Sequence, residues 1–246
     1  MNKKLKHGLS VVIPALNEEK FIGKTILKTV DAFKVSKIDY EIFVIDDGSK
    51  DNTFQVAKKF AKKNKKIKII KNKINYGMGN AIKICSRLSR YKYFLLIPGD
   101  DSFSKSGTKN LARAIGQADF IVGYRLNYPK IVPLFRKITF FSMRVIAFFL
   151  FGKFFKDVHA SLIYPTKIIR KYNLKSLRYN FSIDLLNLMF LYKLNYKFVN
   201  VVMNKKTIYN TNAGTFKNIF SILLTVLRLK ISNLKLKLNI IKLSDL

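Results

Sequence analysis

Two pairs of adjacent aspartates carry the clearest chemical signal in the sequence: Asp46-Asp47 in EIFVIDDGS and Asp100-Asp101 in YFLLIPGDDSF. They hold four of only 14 acidic residues in a 246-residue chain with 47 Lys and Arg. Like charges side by side repel unless a cation or ligand sits between them. Each pair follows an apolar run, so if those runs are buried strands the carboxylates emerge at the edge of a sheet. Hard oxygen ligands there suit Mg²⁺ or Mn²⁺, which also hold substrate phosphates. For one pair alone a structural role competes, with Asp46 or Asp47 capping the helix that opens near Asp51. Two pairs at the ends of different strands favour ligand binding.

The surrounding pattern supplies the strands. Residues 9–14, 41–45, 67–70, 93–97 and 120–123 are short apolar runs. Between them lie helical patterns: one from Glu18 with Phe21, Ile22, Ile26, Leu27 and Val30 on one face, one from Asp51 to Lys63, one from Met78 to Leu88, and a short one from Leu111 to Ile115. This alternation predicts an α/β fold, a mostly parallel sheet with flanking helices. Ligands of such sheets bind beyond the carboxyl ends of the strands, where PALNE, DDGS and PGDD all fall.

Past residue 125 the pattern changes. Residues 131–155 and 219–238 mix aromatic or aliphatic side chains with basic ones. The charge-free run from Val145 to Gly152 is far short of the ~20 apolar residues of a membrane span. Both stretches read as helices lying in a membrane interface, or else as ordinary core or lid helices. Between them, Phe181 to Leu191 reads as a helix and residues 197–203 as a strand. With no flexible linker visible, the expected organisation is a domain over 1–217, including a membrane-facing segment at 131–155, and a basic amphipathic helix over 218–246.

The net charge of +33 suits an anionic partner: nucleic acid, anionic lipid headgroups or phosphorylated substrates. Heavy use of Lys, Asn and Ile, as AT-rich coding produces, accounts for part of it. The dense lysines between Lys58 and Lys73 read as a solvated helix face, since no nucleic-acid module is visible and Arg is scarce beside Lys. No specific nucleic acid is therefore expected. The lone Cys85 cannot form an internal disulfide and suits a reducing compartment. The basic start MNKKLKHG meets a proline too soon to be a signal peptide. The expected location is cytoplasmic, peripheral on the cytosolic membrane face.

LSVVIPALNEEKFI, EIFVIDDGSKDNT, NYGMGNAI, PGDD and IVGYR stand in an order and spacing that resembles the family 2 glycosyltransferases with the GT-A fold, closest to the dolichyl- or polyprenyl-phosphate sugar transferase branch. The resemblance spans residues 9 to 125, with a weaker echo from 131 to 217. It implies that Pro14, Leu16 and Glu18 hold the nucleotide base and ribose, together with Ile45, Asp46 and Asp47. The family's D-x-D metal motif aligns with Gly99-Asp100-Asp101, making Asp101 the metal-binding aspartate and Asp100 a substitute from the middle position. Arg125 would face the donor phosphates, and Lys217, in TNAGTFK, would close over the diphosphate. Arg136 and Thr139 resemble positions that grip an acceptor lipid phosphate, and Asp157 matches a common family aspartate. The pattern departs at Gly99, Phe103, Thr211 and Phe216.

The implied activity is inverting, metal-dependent transfer of a sugar from a nucleoside-diphosphate donor to a polyprenyl phosphate or membrane-associated glycan. The leaving diphosphate must be neutralised. A phosphate acceptor needs no strong base, whereas a hydroxyl acceptor in surface polysaccharide synthesis would need one. Asp184 is the candidate base, or a carboxylate favoured by a helix start. A non-catalytic nucleic-acid binder and a degenerate transferase without turnover are the other readings.

Overall fold

The computed structural model describes residues 5–152, 154–158, 162–172, 174, 180–205 and 216–238. Its first half alternates β1 (Lys6–Ala15), α1 (Ile22–Val35), β2 (Tyr40–Asp46), α2 (Thr53–Lys63), β3 (Ile67–Lys71), α3 (Met78–Leu88), β4 (Tyr91–Leu96), α4 (Lys105–Arg113) and β5 (Phe120–Arg125). Then follow α5 (Tyr128–Ile131), α6 (Leu134–Phe151), β6 (Leu162–Pro165), α7 (Thr166–Lys171), α8 (Phe181–Leu191), β7 (Tyr196–Val201) and α9 (Phe216–Lys237). The strands form one sheet in the order β3-β2-β1-β4-β6-β5-β7. β1 to β4 pair in parallel, as do β5 and β7, while β6 runs antiparallel to both neighbours. The mostly parallel α/β fold with C-terminal helices is thus present.

β2 is buried throughout and β1 over its last eight residues, the signature of strands covered on both faces. Alternate residues feed two cores. Leu9, Val11 and Ile13 face α1, while Val12, Phe43 and Phe94 meet Ile82 of α3 and Leu185 of α8. α9 packs on α8 and α6. Among the described residues, no helix is long and apolar enough to cross a membrane.

Two elements differ from expectation. α4 starts at Lys105, ahead of the anticipated Leu111, because the Ser104 hydroxyl accepts from Gly107 N at 3.0 Å. Its buried positions there are Gly107 and Thr108, small because the helix presses on the end of β7, where a Cβ on Gly107 would lie 2.8 Å from the Val202 carbonyl. Apolar periodicity therefore does not mark this turn. β6, which the pattern does not reveal, is only Leu162–Pro165, yet it joins the two parallel sets by pairing with β4 and β5.

One buried acid staples the sheet away from the site. Glu41 accepts from Ser10 Oγ at 2.9 Å, Lys68 Nζ at 3.0 Å, Arg90 N at 2.7 Å and Arg90 Nε at 3.0 Å. Burial pushes its carboxyl up, but these donors outweigh burial and hold it below the ordinary value. A depressed folded pKa gives stability that is complete above the unfolded pKa of about 4.3 and lost as pH falls through the folded one. Glu41→Gln is expected to cost about 1–3 kcal/mol at pH 7 and to flatten the acid limb of a melting-temperature profile below about pH 5.

Candidate active site

The loops after β1 and β2 are laced together. Asn17 N donates to Ser49 Oγ and Lys50 N to Asn17 Oδ1, both at 2.9 Å, while Glu18 N donates to Thr53 Oγ1 at 2.7 Å. Asp46, opposite Ala15 in the parallel register, is fully buried. Its Oδ1 accepts from Ser49 N at 2.9 Å, and its Oδ2 is buried with no hydrogen-bond partner. Asp47 accepts three hydrogen bonds: from Asn72 Nδ2 at 2.7 Å, Tyr76 N at 3.0 Å and Gly77 N at 2.7 Å. It therefore pins the NYG turn that opens α3. Neither aspartate caps α2, whose N-cap is Asn52; Asp51 Oδ1, one residue earlier, accepts from Thr53 N at 3.0 Å.

The loop after β4 packs against the same edge. Gly99 N donates to the Pro14 carbonyl at 3.0 Å, and Thr25 Oγ1 donates to the Gly99 carbonyl at 3.1 Å. Asp100 is half-buried, and one of its oxygens accepts from Ser102 N at 3.0 Å. Burial raises its carboxyl above the ordinary range. Asp101 is ion-paired with Lys28 of α1 and accepts from Asn204 Nδ2 at 3.2 Å. The resemblance makes Asp101 the metal-binding aspartate; in the structure Asp101 has a cationic partner, Lys28. Phe103, where the family often has a polar ligand, is buried in the core.

Glu18 faces this cluster, and burial, then Asp100, then Asp51 push its carboxyl up to about 7. A raised folded pKa means the folded state holds a proton that the unfolded state has released, so stability falls as pH rises from about 4.3 to about 7. Glu18→Gln is expected to melt like the parent at pH 4 and above it at pH 8. Equal melting temperatures at pH 8 would remove this destabilising charge from the account.

The remaining expected residues divide. Pro14 and Ile45 are buried at the strand ends, with the Ile45 side chain inside the second core, while Leu16 is exposed in the β1–α1 loop. The Arg125 fork, which the resemblance aims at the donor phosphates, closes on Asp157 with Nε–Oδ2 at 2.7 Å and Nη2–Oδ1 at 2.9 Å. Its guanidinium stacks 4.1 Å from the Tyr128 ring centroid. Burial lowers its pKa, but Asp157 outweighs burial and the net shift is upward. Asp184, the candidate base, is fully buried and ion-paired with Arg228 of α9. Thr139 Oγ1 donates to its own helix at Phe135 O, 3.0 Å away, and Arg136 is half-buried on the turn before it. Lys217 sits in the first turn of α9, but its side chain lies outside the described residues. The sequence reading missed Thr25, Lys28 and Asn204. Thr25 and Lys28 share a face of α1, a spacing too common to single them out.

A cavity of about 620 Å³ lined by Lys34, Lys37, Tyr40 and Lys66 lies at the opposite end of the sheet, where β2 begins. Among the described residues, no three His, Cys, Asp or Glu side chains gather into a metal cage. The acids at the strand ends still fit Mg²⁺ or Mn²⁺, ions held by one or two carboxylates plus substrate phosphates.

A mostly parallel sheet with acidic loops converging at its carboxyl edge fits the GT-A fold. The chain belongs to the glycosyl transferase family 2, whose sequence profile matches residues 10–178, and it is a glycosyltransferase. It is 32% identical over 179 residues to an uncharacterised protein of Methanocaldococcus jannaschii, covering 68% of this chain and 74% of that one. It is 36% identical over 120 residues to the dolichyl-phosphate beta-glucosyltransferase of Saccharomyces cerevisiae, covering 45% of this chain but only 35% of that enzyme. In fold it is similar to glucosyl-3-phosphoglycerate synthase from Mycobacterium tuberculosis, solved with Mn²⁺, UDP and glucosyl-3-phosphoglycerate. The TM-score is 0.59 at 16% identity, over 92% of this chain and 79% of that one.

Proposed function

We propose that this protein transfers a sugar, with inversion, from a nucleoside-diphosphate donor to a polyprenyl-phosphate acceptor at a membrane surface. One observation carries the donor half: a fully buried carboxylate oxygen, Asp46 Oδ2, with no hydrogen-bond donor at the carboxyl edge of the sheet. A buried acceptor left unsatisfied costs stability, and an N–H of a nucleotide base or a ribose hydroxyl would satisfy it. Pro14, Leu16 and Glu18 border the same edge. Asp100 would hold the divalent ion, which when bound supplies charge neutralisation for the leaving diphosphate. Lys217 is proposed to add a cation there. Arg125, locked to Asp157, acts by fixing the end of β5.

The acceptor half rests on charge and on two exposed faces. α6 presents Leu134, Ile138, Phe141, Val145 and Phe148 to the outside, and α9 presents Leu224, Leu227, Ile231 and Leu234, with Leu238 just past its end. Neither helix contains an acidic residue, while Arg136, Lys137, Lys230, Lys235 and Lys237 lie along them. Such faces suit an anionic lipid surface, which would place a lipid phosphate near Arg136 and Thr139. A phosphate acceptor is already anionic and needs no general base, in keeping with an Asp184 committed to Arg228. The similarity to a dolichyl-phosphate enzyme supports the same acceptor class.

The test is transfer of radiolabelled sugar from UDP- and GDP-sugars to polyprenyl phosphate in anionic vesicles with Mn²⁺. A lipid-soluble labelled product is expected. Label that moves only to free glycan hydroxyls would reject the lipid-phosphate acceptor.

A further inference from the structure

The D-x-D comparison assigns Asp101 to a metal ion, but the structure puts an ammonium there. Lys28 Nζ reaches the Asp101 carboxylate, the Asp101 carbonyl at 3.5 Å and the Phe103 carbonyl. An ammonium has three donors; two serve the Asp101 and Phe103 carbonyls, and the contact with Asp101 Oδ1, a buried oxygen with no hydrogen-bond donor, is an ion pair. The two side chains are only 19% and 12% exposed. Asn204 Nδ2 donates to the Asp101 carbonyl at 2.7 Å and to its Oδ2 at 3.2 Å. The Asp101 N–H donates to Thr25 Oγ1 at 3.1 Å, holding a left-handed backbone at φ 57°. Asp101 thus joins α1, the PGDD loop and the segment after β7.

Its neighbours are arranged differently. Asp100 has no ion-pair partner among the described residues, and its hydrogen-bond donors are the N–H and the hydroxyl of Ser102. Gly99, where the motif's first aspartate would stand, is closed to any side chain: a Cβ would lie 2.9 Å from the Pro14 carbonyl and 3.0 Å from Ala15 Cβ. A divalent ion on Asp101 would have to displace Lys28 and leave a mostly buried ammonium unpaired beside a second cation, which is strongly unfavourable. Asp100 presents no such obstacle.

We propose that Lys28 is a built-in counter-cation for Asp101, so that Asp101 is a positioning residue and the divalent ion of the nucleotide-sugar site is carried by Asp100. The proposal rests on the glycosyltransferase reading above and assigns the ion within that site.

The experiment measures Mn²⁺ binding, from loss of the free-ion electron paramagnetic resonance signal, with UDP and with GDP. The parent is compared with Asp100→Asn, Asp101→Asn and Lys28→Met, and each protein is also melted. Asp100→Asn is expected to weaken Mn²⁺ by at least ~10-fold with little change in melting temperature. Asp101→Asn is expected to keep Mn²⁺ affinity within ~3-fold while melting several degrees lower. Lys28→Met, which frees the Asp101 carboxylate, is expected to bind Mn²⁺ as tightly as the parent or more so; this arm decides the matter if Asp101→Asn does not fold. Mn²⁺ affinity that collapses in Asp101→Asn or in folded Lys28→Met while Asp100→Asn binds normally would overturn the proposal. So would a parent that binds nucleotide but no Mn²⁺. Failure of both nucleotides to raise the parent's melting temperature would instead strike at the donor reading.

Discussion

Asp46→Asn is expected to weaken nucleotide binding by ~10–100-fold, the worth of one hydrogen bond to a charged acceptor, without lowering the melting temperature. In the parent, Oδ1 is engaged by Ser49 N and Oδ2 is sealed from water with no donor. Asparagine keeps an oxygen for Ser49 but turns an NH₂ group towards the position a ligand's N–H or O–H would approach, setting donor against donor. Removing an unsatisfied buried carboxylate also relieves the folded protein, so stability holds or rises while binding falls. That opposition is characteristic of a site kept at a cost to stability. It separates a ligand-binding carboxylate from a structural one, whose loss would lower both. Nucleotide titration calorimetry together with melting curves reads the two effects. A variant that binds normally but melts lower would assign Asp46 to the fold alone.

The parts legible in the sequence are those fixed by chain direction and periodicity. β1 and β2 are continuous apolar runs because both faces are covered, and α3 and α8 fall on the residues that their patterns mark, Met78–Leu88 and Phe181–Leu191. Parallel strands carry whatever follows them to one edge, so DDGS and PGDD could be placed together without coordinates. Side-chain partnership could not. Lys28 and Asp101 are 73 residues apart, Arg125 and Asp157 32, and Asp184 and Arg228 44. With 47 basic residues to 14 acidic ones, a buried acid has many cations to choose from, and only the packing decides which one it meets. The same packing places Arg125 and Asp184, expected as phosphate contact and base, in internal ion pairs with Asp157 and Arg228. Gly99 shows the reverse case. Its departure from the D-x-D pattern looks like a lost ligand in the sequence, and in the fold its lack of a Cβ lets the PGDD loop lie against Pro14 and Ala15.

The double variant Phe141→Glu, Phe148→Glu is expected to lose ~100-fold in affinity for anionic vesicles while still binding nucleotide. Both rings are about half exposed, at 48% and 47%, and sit two turns apart on the outer face of α6. Completing the burial of a half-exposed phenylalanine in lipid gives about 1–1.5 kcal/mol, so two contribute about 2–3 kcal/mol, or ~30–150-fold in partitioning. The introduced carboxylates add repulsion from anionic headgroups. The basic residues act differently: each Lys or Arg near an anionic surface contributes about 1 kcal/mol, and salt screens it within a Debye length of ~10 Å at 0.1 M. High salt should therefore weaken parent binding without abolishing it, since the apolar part is insensitive to screening, and the double variant should be released completely. Vesicle co-sedimentation at low and high salt, with anionic and with neutral lipid, separates the two contributions. Complete release of the parent by salt, with the double variant binding as well as the parent at low salt, would mean that α6 does not insert. The stripe on α9 recurs every three or four residues from Leu224 to Leu234, a spacing that also serves helix pairing. Sedimentation of the lipid-free protein as a dimer that Leu227→Glu dissociates would assign that face to a second copy of the chain and leave the membrane to α6.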